Sequence, residues 1–239
     1  MEMIRKVSII LPTFNEKDNI GALIDGLSDS VKVAELEIIV VDDDSPDMTW
    51  KIAQDMHRAN VKVKRRQGER GLATAIACGL DISSGDVVGW LDADMCHPPA
   101  VMSEMLGLIG QYDIVIGSRY VPGGADKRGR LRVMTSRIIN WFAGLMLGFE
   151  IKDYDSGFIV MKKDVFGKVD FPADGYGDYF IELMAKSKKA GFKIKEVPFV
   201  FFDRAKGESK SAGTIFDFCR LGFGYVWRII KIRFKVQSM

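Results

Sequence analysis

Cysteine is scarce in this chain. Cys78, Cys96 and Cys219 lie far apart among 239 residues and follow neither disulfide nor zinc-ligand spacing. A disulfide scaffold and a structural zinc site are therefore not expected, and a reducing, cytosol-facing compartment is. Charge of one sign is also lacking. The formal net charge of +2 is too small for nucleic-acid binding by bulk electrostatics, although basic residues crowd at 119–137 and 204–235. No apolar run reaches the roughly 18 residues of a spanning helix. The longest, residues 138–149, is broken by Asn140. The first apolar run, within VSIILP, is far shorter than a signal-peptide core. Internal repeats and low-complexity linkers are missing too. The expectation is a soluble or peripheral protein.

What is present is globular: 47% hydrophobic and 28% charged residues. The length suits one large domain, or a core domain with appendages. Buried strands are expected at residues 7–12, 36–41, 61–64, 86–91 and 112–116, with helices at 17–28, 49–58, 72–83 and 98–107 between them. Near-continuous apolar strands alternating with helices indicate an α/β fold with a mainly parallel sheet covered on both faces. In such folds ligands bind beyond the carboxyl ends of the strands. Residues 118–132 read as an irregular basic loop and 133–147 as a helix. Strands are expected at 158–161 and 193–202, and helices at 180–190 and 214–234.

The sharpest feature is Asp92-Ala93-Asp94, which ends an apolar strand. Two carboxylates one residue apart can converge on a hard cation, Mg²⁺ or Mn²⁺, and bridge it to diphosphate oxygens. A solvated turn is the plainer reading. A second acidic strand end, Asp42-Asp43-Asp44, can accept hydrogen bonds from a nucleobase or ribose. Capping of the next helix by Asp44, Ser45 or Asp47 is the plainer reading there. Pro12-Thr13-Phe14-Asn15-Glu16 ends the first strand, and Gly71 opens a helix in Arg70-Gly71-Leu72-Ala73-Thr74-Ala75, where small residues permit close backbone approach to a ligand.

Together the segments PTFNE, VVDDDSPD, RGLATA, WLDADMCHPP, GSRYVPGG, DSGF, EVPFVFFDR and GESK resemble the inverting glycosyltransferase family 2. This is a family of nucleotide-diphospho-sugar transferases with the Rossmann-like GT-A fold. The match runs in order from about Val7 to Lys210 and is most similar to the dolichol-phosphate mannose synthases and related polyprenyl-phosphate glycosyltransferases. The resemblance implies a catalytic domain over residues 1–212, followed by an amphipathic, interfacial helix at 213–239. It implies that Pro12, Thr13, Glu16, Asp42, Asp43, Gly71 and Ala75 border the donor nucleotide. Asp92 and Asp94 would hold Mg²⁺ or Mn²⁺ and the diphosphate. Relatives often carry Gln or Ser where Cys96 stands, and the Gln can be a third ligand. A neutral thiol is a poor donor to a hard cation, so water would serve at the Cys96 position.

The same resemblance places Arg119, Arg132 and Ser136 on the acceptor phosphate, with Arg130 and Arg137 as substitutes. It places Arg204 and Lys210 in a segment that closes over the donor diphosphate. Asp94, Arg119 and Arg204 would carry catalysis. Asp155 and Asp178 are potential bases should the acceptor be a hydroxyl. The implied reaction moves a hexose, mannose from GDP-mannose, to a polyprenyl or dolichyl phosphate with inversion, at the cytoplasmic face of a membrane. No nucleic-acid partner is expected. The aromatic and basic residues at 214–234 suit a helix at an anionic membrane surface, or one packed on the domain, and residues 138–149 a second such element. Related proteins often carry further spanning helices, so a membrane-anchoring subunit is an expected partner. The rival readings are UDP-glucose or UDP-GlcNAc as donor, a glycan hydroxyl as acceptor, or a non-catalytic nucleotide- or lipid-binding subunit.

Overall fold

The computed structural model describes residues 6–173, 177–202 and 215–237. Strands β1 (Lys6–Thr13), β2 (Glu35–Asp42), β3 (Val61–Arg65), β4 (Val87–Trp90), β5 (Ile114–Ser118), β7 (Ile159–Lys162) and β8 (Ile194–Pro198) form one sheet in the order β3-β2-β1-β4-β7-β5-β8. All neighbours in it run parallel except β7, which lies antiparallel between β4 and β5.

Alternation along each strand explains the two-sided core. Val7, Ile9 and Leu11 of β1, with Ile38 and Val40 of β2, face one layer. Helices α1 (Ile20–Ser30), α2 (Thr49–Asp55) and α4 (Pro99–Leu108) cover that layer through Leu23, Ile24, Ala53, Met102 and Met105. Ile10, Ile39 and Val41 point the other way. There α3 (Leu72–Ile82), α5 (Arg130–Leu147), α6 (Asp178–Lys189) and α7 (Ile215–Gln237) contribute Ile76, Ala143, Phe180 and Ile229. A sheet buried on both faces needs apolar residues at consecutive positions, which is what VSIIL and IIVV supply. The expected GT-A arrangement, a mainly parallel sheet flanked by helices, is the one observed.

Three of the expected segments that differ lie beside the site. The loop at 118–132 contains a two-residue strand, β6 (Ala125–Asp126), and α5 begins at Arg130 rather than 133. The expected strand at 193–202 breaks at Phe199, whose side chain turns into the core, and resumes as β9 (Val200–Phe201), which pairs with β6 in a separate sheet. This small sheet ties the basic loop to the aromatic segment behind the site. The helix expected at 17–28 starts only at Ile20, because the backbone of Asn19 and Ile20 closes a turn onto the Glu16 carbonyl.

A buried polar plug secures the end of the sheet away from the site. The Glu37 carboxylate accepts bonds from Ser8 Oγ at 2.5 Å, Ser84 N at 3.0 Å and Ser84 Oγ at 2.8 Å, and pairs with Lys62 at 2.6 Å. Burial pushes its pKa up, but Lys62, Ser8 and Ser84 outweigh that and hold it at about 2. A carboxyl depressed in the folded state stabilises above its unfolded pKa, and that stability fades as pH falls. Acid sensitivity from this group is therefore expected between about pH 4.5 and about 2. Glu37→Gln should lower the urea midpoint at pH 7 and flatten its decline across that window.

Candidate active site

The carboxyl ends of β1, β2, β3, β4 and β5 converge on one edge of the sheet, as parallel pairing requires: Thr13 lies opposite Asp42, and Asp42 opposite Arg65. At this edge Asp42 is fully buried. Its carboxylate accepts bonds from Thr13 Oγ1 at 2.8 Å, Ser45 N at 2.8 Å and Ser45 Oγ at 2.7 Å. Asp42 thus shapes the strand-end turn from within. Asp47 takes the backbone N–H of Thr49 at 3.0 Å and its hydroxyl at 2.6 Å, serving the start of α2. Asp44 pairs with Arg65 at 2.5 Å.

Asp43 has a different setting. One carboxylate oxygen meets Arg66 Nε at 2.8 Å, and the other accepts the Gly71 N–H at 2.8 Å. Arg66, itself buried, also donates to the Gly71 carbonyl at 3.0 Å. This unit fixes the junction that opens α3 and seats Ala75, which is buried. Arg66 was not anticipated; it directly follows β3, and no spacing marks which of the adjacent arginines turns inward. Glu16 is buried, with Oε2 accepting from Asn19 Nδ2 at 2.9 Å, while Pro12 is half-buried on the same edge. Arg70 lies over the Phe14 ring, 3.7 Å from its centroid, in cation–π contact.

Beyond β4 the chain turns sharply, with Met95 in the left-handed region at φ 64°. Asp94 Oδ1 accepts the Cys96 N–H at 3.1 Å, and the Cys96 thiol faces the Asp94 carbonyl at 3.9 Å. The thiol is thereby directed at the backbone. His97 instead joins the two aspartates: one ring nitrogen and a carboxylate oxygen from each of Asp92 and Asp94 all lie within 4.8 Å of one another. Burial drives the His97 pKa down to about 4, outweighing the nearby Asp94, so the ring is neutral at physiological pH. Two carboxylates and a neutral imidazole are a donor set that fits a divalent cation. His97 stands in the same DADMCHPP segment as the aspartates; its position three residues after Asp94 was the available signal.

Arg119 lies at the end of β5, and its side chain is 3% exposed. Nε and Nη2 form a fork on the Asp153 carboxylate at 2.8 and 2.7 Å, and Nη2 also donates to the Asp155 carbonyl at 2.9 Å. Asp126 lies 3.7 Å away. Burial opposes the charge, yet Asp153 and then Asp155 override it and hold the guanidinium protonated beyond its ordinary range. The Tyr120 ring lies 5.2 Å from the guanidinium, and its hydroxyl donates to Asp126 at 3.4 Å. Arg132 and Ser136 share a helical face, as expected from their spacing, but Ser136 is buried on it. The expected acceptor trio is thus largely internal.

A cavity of about 560 Å³ opens on another face of α5, lined by Arg128, Arg130, Arg137, Met134, Ile138 and Trp141. Among the described residues, neither Arg132 nor Ser136 lines it. Asp155, four residues before Ile159 of β7, has its pKa raised to about 6 by burial, against the pull of Arg119 and with that of Asp153. Asp178 is paired with Arg228 of α7. Arg204 and Lys210 lie outside the described residues.

Comparison with known proteins gives this edge its context. Residues 8–170 match the model of "Glycosyl transferase family 2". The chain belongs to glycosyl transferase family 2. Over 232 residues it is 39% identical to the dolichol-phosphate mannosyltransferase of Pyrococcus furiosus, covering 95% of this chain and 64% of that protein. It therefore spans somewhat less than two thirds of that relative's length. It is 33% identical over 220 residues to the polyprenol monophosphomannose synthase of Mycolicibacterium smegmatis, covering 88% of this chain and 82% of the relative. The GT-A fold is shared with glucosyl-3-phosphoglycerate synthase of Mycobacterium tuberculosis, solved with Mn²⁺, UDP and glucosyl-3-phosphoglycerate. That superposition has a TM-score of 0.71 at 19% identity, covering 98% of this chain and 81% of the other. The strand-end edge is accordingly that of a family 2 glycosyltransferase.

Proposed function

We propose that this family 2 member transfers a hexose, mannose from GDP-mannose, to the phosphate of a polyprenyl phosphate, with inversion and with Mg²⁺ or Mn²⁺ on Asp92 and Asp94. One observation carries the acceptor assignment: beyond an Arg128–Asp126 ion pair, the α5 cavity sets Arg130 and Arg137 beside an apolar wall. A lipid phosphate presents that pairing of a dianionic head and a hydrocarbon tail. Arg130, Met134, Arg137 and Trp141 recur at helical spacing along one face, so head and tail sites adjoin. The names of the Pyrococcus furiosus and Mycolicibacterium smegmatis relatives support the same mannosyl and polyprenyl-phosphate reading.

The reaction asks little proton chemistry of the protein. The acceptor phosphate is anionic near neutral pH, and its oxygen can attack the anomeric carbon as the bond from that carbon to the diphosphate breaks. Arg130 and Arg137 hold the nucleophile through charge-assisted bonds. Asp43, Gly71 and the end of β1 position the nucleotide. The bound cation would act as a Lewis acid that neutralises charge on the departing diphosphate. Arg204 and Lys210 are assigned to the diphosphate by family resemblance.

Access to a lipid acceptor follows from the outer face of α5. Leu131, Met134, Ile138, Trp141 and Leu145 are 51–59% exposed and form one stripe. Among the described residues no helix is long and apolar enough to cross a membrane. The stripe, flanked by arginines, suits shallow insertion at the cytoplasmic face of an anionic membrane. Helix α7 buries Ile229 and Ile232 in the core while exposing Trp227 and Phe234, so it can add to that surface while docked.

Asp155 favours one second reading. A carboxyl with a pKa of about 6 is suited to general-base transfer onto a glycan hydroxyl. The test is a panel of radiolabelled GDP- and UDP-sugars with Mn²⁺ and vesicles containing polyprenyl phosphate. Label should enter the lipid phase from GDP-mannose. Transfer to soluble glycans, abolished by Asp155→Asn, would overturn the lipid reading. Arg137→Ala should raise KM for polyprenyl phosphate roughly 10- to 100-fold, the loss of one charge-assisted bond, and leave KM for GDP-mannose unchanged.

A further inference from the structure

We propose that His97 is the third protein ligand of the divalent cation held by Asp92 and Asp94. The inference rests on the metal-dependent reading above and adds a donor to it. Three observations converge. First, His97 is fully buried, and neither ring nitrogen has a hydrogen-bond partner. A buried polar group left in that condition costs about 1–3 kcal/mol, and a polar core histidine would ordinarily be bonded. Second, one of these nitrogens belongs to the cluster with the two carboxylates, within 4.8 Å. Cation bonds of about 2.1 Å set opposite ligands about 4.2 Å apart, so modest side-chain rotation closes the site. Third, the rings packed around the imidazole are no rival ligands. Phe158, Phe199 and Phe201 surround it at centroid distances of 5.0, 5.3 and 5.2 Å, and they offer no lone pair.

The backbone of Ser156 is a group toward which one ring N–H could turn. A metal-bound histidine commonly holds its other nitrogen in this way, which fixes the tautomer that leaves a lone pair for the ion. Cys96, the other side chain with a soft donor in this turn, faces the Asp94 carbonyl. The small β6–β9 sheet then acquires a purpose: Phe201 and Phe199 brace the imidazole against the metal loop. Imidazole is a better donor to Mn²⁺ than to Mg²⁺, so the site should prefer Mn²⁺ more strongly than an all-oxygen site does.

The chain has only two histidines, which makes the test direct. His57 is exposed and sits at φ 49°, a conformation that asparagine tolerates. In His57→Asn protein, His97 is the sole histidine. Electron spin-echo envelope modulation of bound Mn²⁺, with and without GDP, should show a directly coordinated nitrogen whose frequencies change when histidine carries ¹⁵N. Identical spectra from labelled and unlabelled protein, with Mn²⁺ bound, would overturn the proposal and leave His97 as a packing residue. Failure of the protein to bind Mn²⁺ at all, with or without GDP, would overturn the metal-dependent reading itself. His97→Gln should weaken Mn²⁺ binding by at least tenfold and Mg²⁺ binding by less. Should that buried substitution unfold the chain, the isotope comparison on the native side chain still decides.

Discussion

Asp94→Asn is expected to abolish sugar transfer, with kcat down by at least about 10³-fold, or roughly 4 kcal/mol of transition-state stabilisation. The substitution is nearly isosteric. An asparagine oxygen can still accept the Cys96 N–H that Asp94 Oδ1 holds at 3.1 Å, so the turn after β4 should keep its shape. What disappears is one of two negative charges facing the cation and the diphosphate. A neutral amide binds a hard cation weakly, and charge on the leaving group then goes uncompensated in a buried setting, where such compensation counts most. Three measurements belong together: turnover with saturating GDP-mannose and polyprenyl phosphate, Mn²⁺ affinity, and the thermal midpoint. The expected pattern is lost turnover and weakened Mn²⁺ binding at an unchanged midpoint. Turnover within threefold of the parent would remove Asp94 from the chemistry. Absence of turnover in the parent protein itself, with GDP binding intact, would support a non-catalytic subunit.

That prediction concerns a residue visible in the sequence, because its acidic pair ends an apolar strand within an ordered series of segments that resembles family 2. The sheet was legible for a similar reason: VSIIL and IIVV have no polar face to give to water. What stayed hidden depends on register between distant segments. Asp42 becomes an internal acceptor only because parallel pairing sets it opposite Thr13, which no local pattern announces. Arg66 turns inward while Arg65 stays half exposed, a choice set by the pleat at the end of β3. The two-residue strands β6 and β9 are too short for periodicity to mark. Their pairing depends on Phe199 filling the core beside Phe158. His97 was overshadowed by the cysteine beside it, since a histidine's role depends on which way its ring turns. The arginines show the same limit. The resemblance placed arginines between 119 and 137 on an anion, but which of them faces solvent and which faces Asp153 is a tertiary outcome.

Arg119→Met is expected to destabilise the protein by about 3–5 kcal/mol, lowering the thermal midpoint by roughly 6–20 °C for a domain of this size. Methionine approximates the side chain's volume but removes both guanidinium bonds to Asp153, which is fully buried and keeps only the residue 119 backbone N–H at 2.9 Å. A buried carboxylate left without its countercharge bears much of its desolvation cost. Asp153→Leu should be comparably damaging, because it strands the guanidinium. The double variant should lose less than the sum, since no buried charge is then left alone. Arg119→Lys should rescue little, as an ammonium cannot reproduce the planar fork on Asp153 together with the bond to the Asp155 carbonyl. The same variants separate two duties for this arginine. If Arg119 holds the frame on which the acceptor arginines are mounted, stability falls, while KM for polyprenyl phosphate in the surviving folded protein changes less than it does in Arg137→Ala. An Arg119→Met protein with a parental melting point and a tenfold higher acceptor KM would instead put the guanidinium on the phosphate and contradict the buried cage.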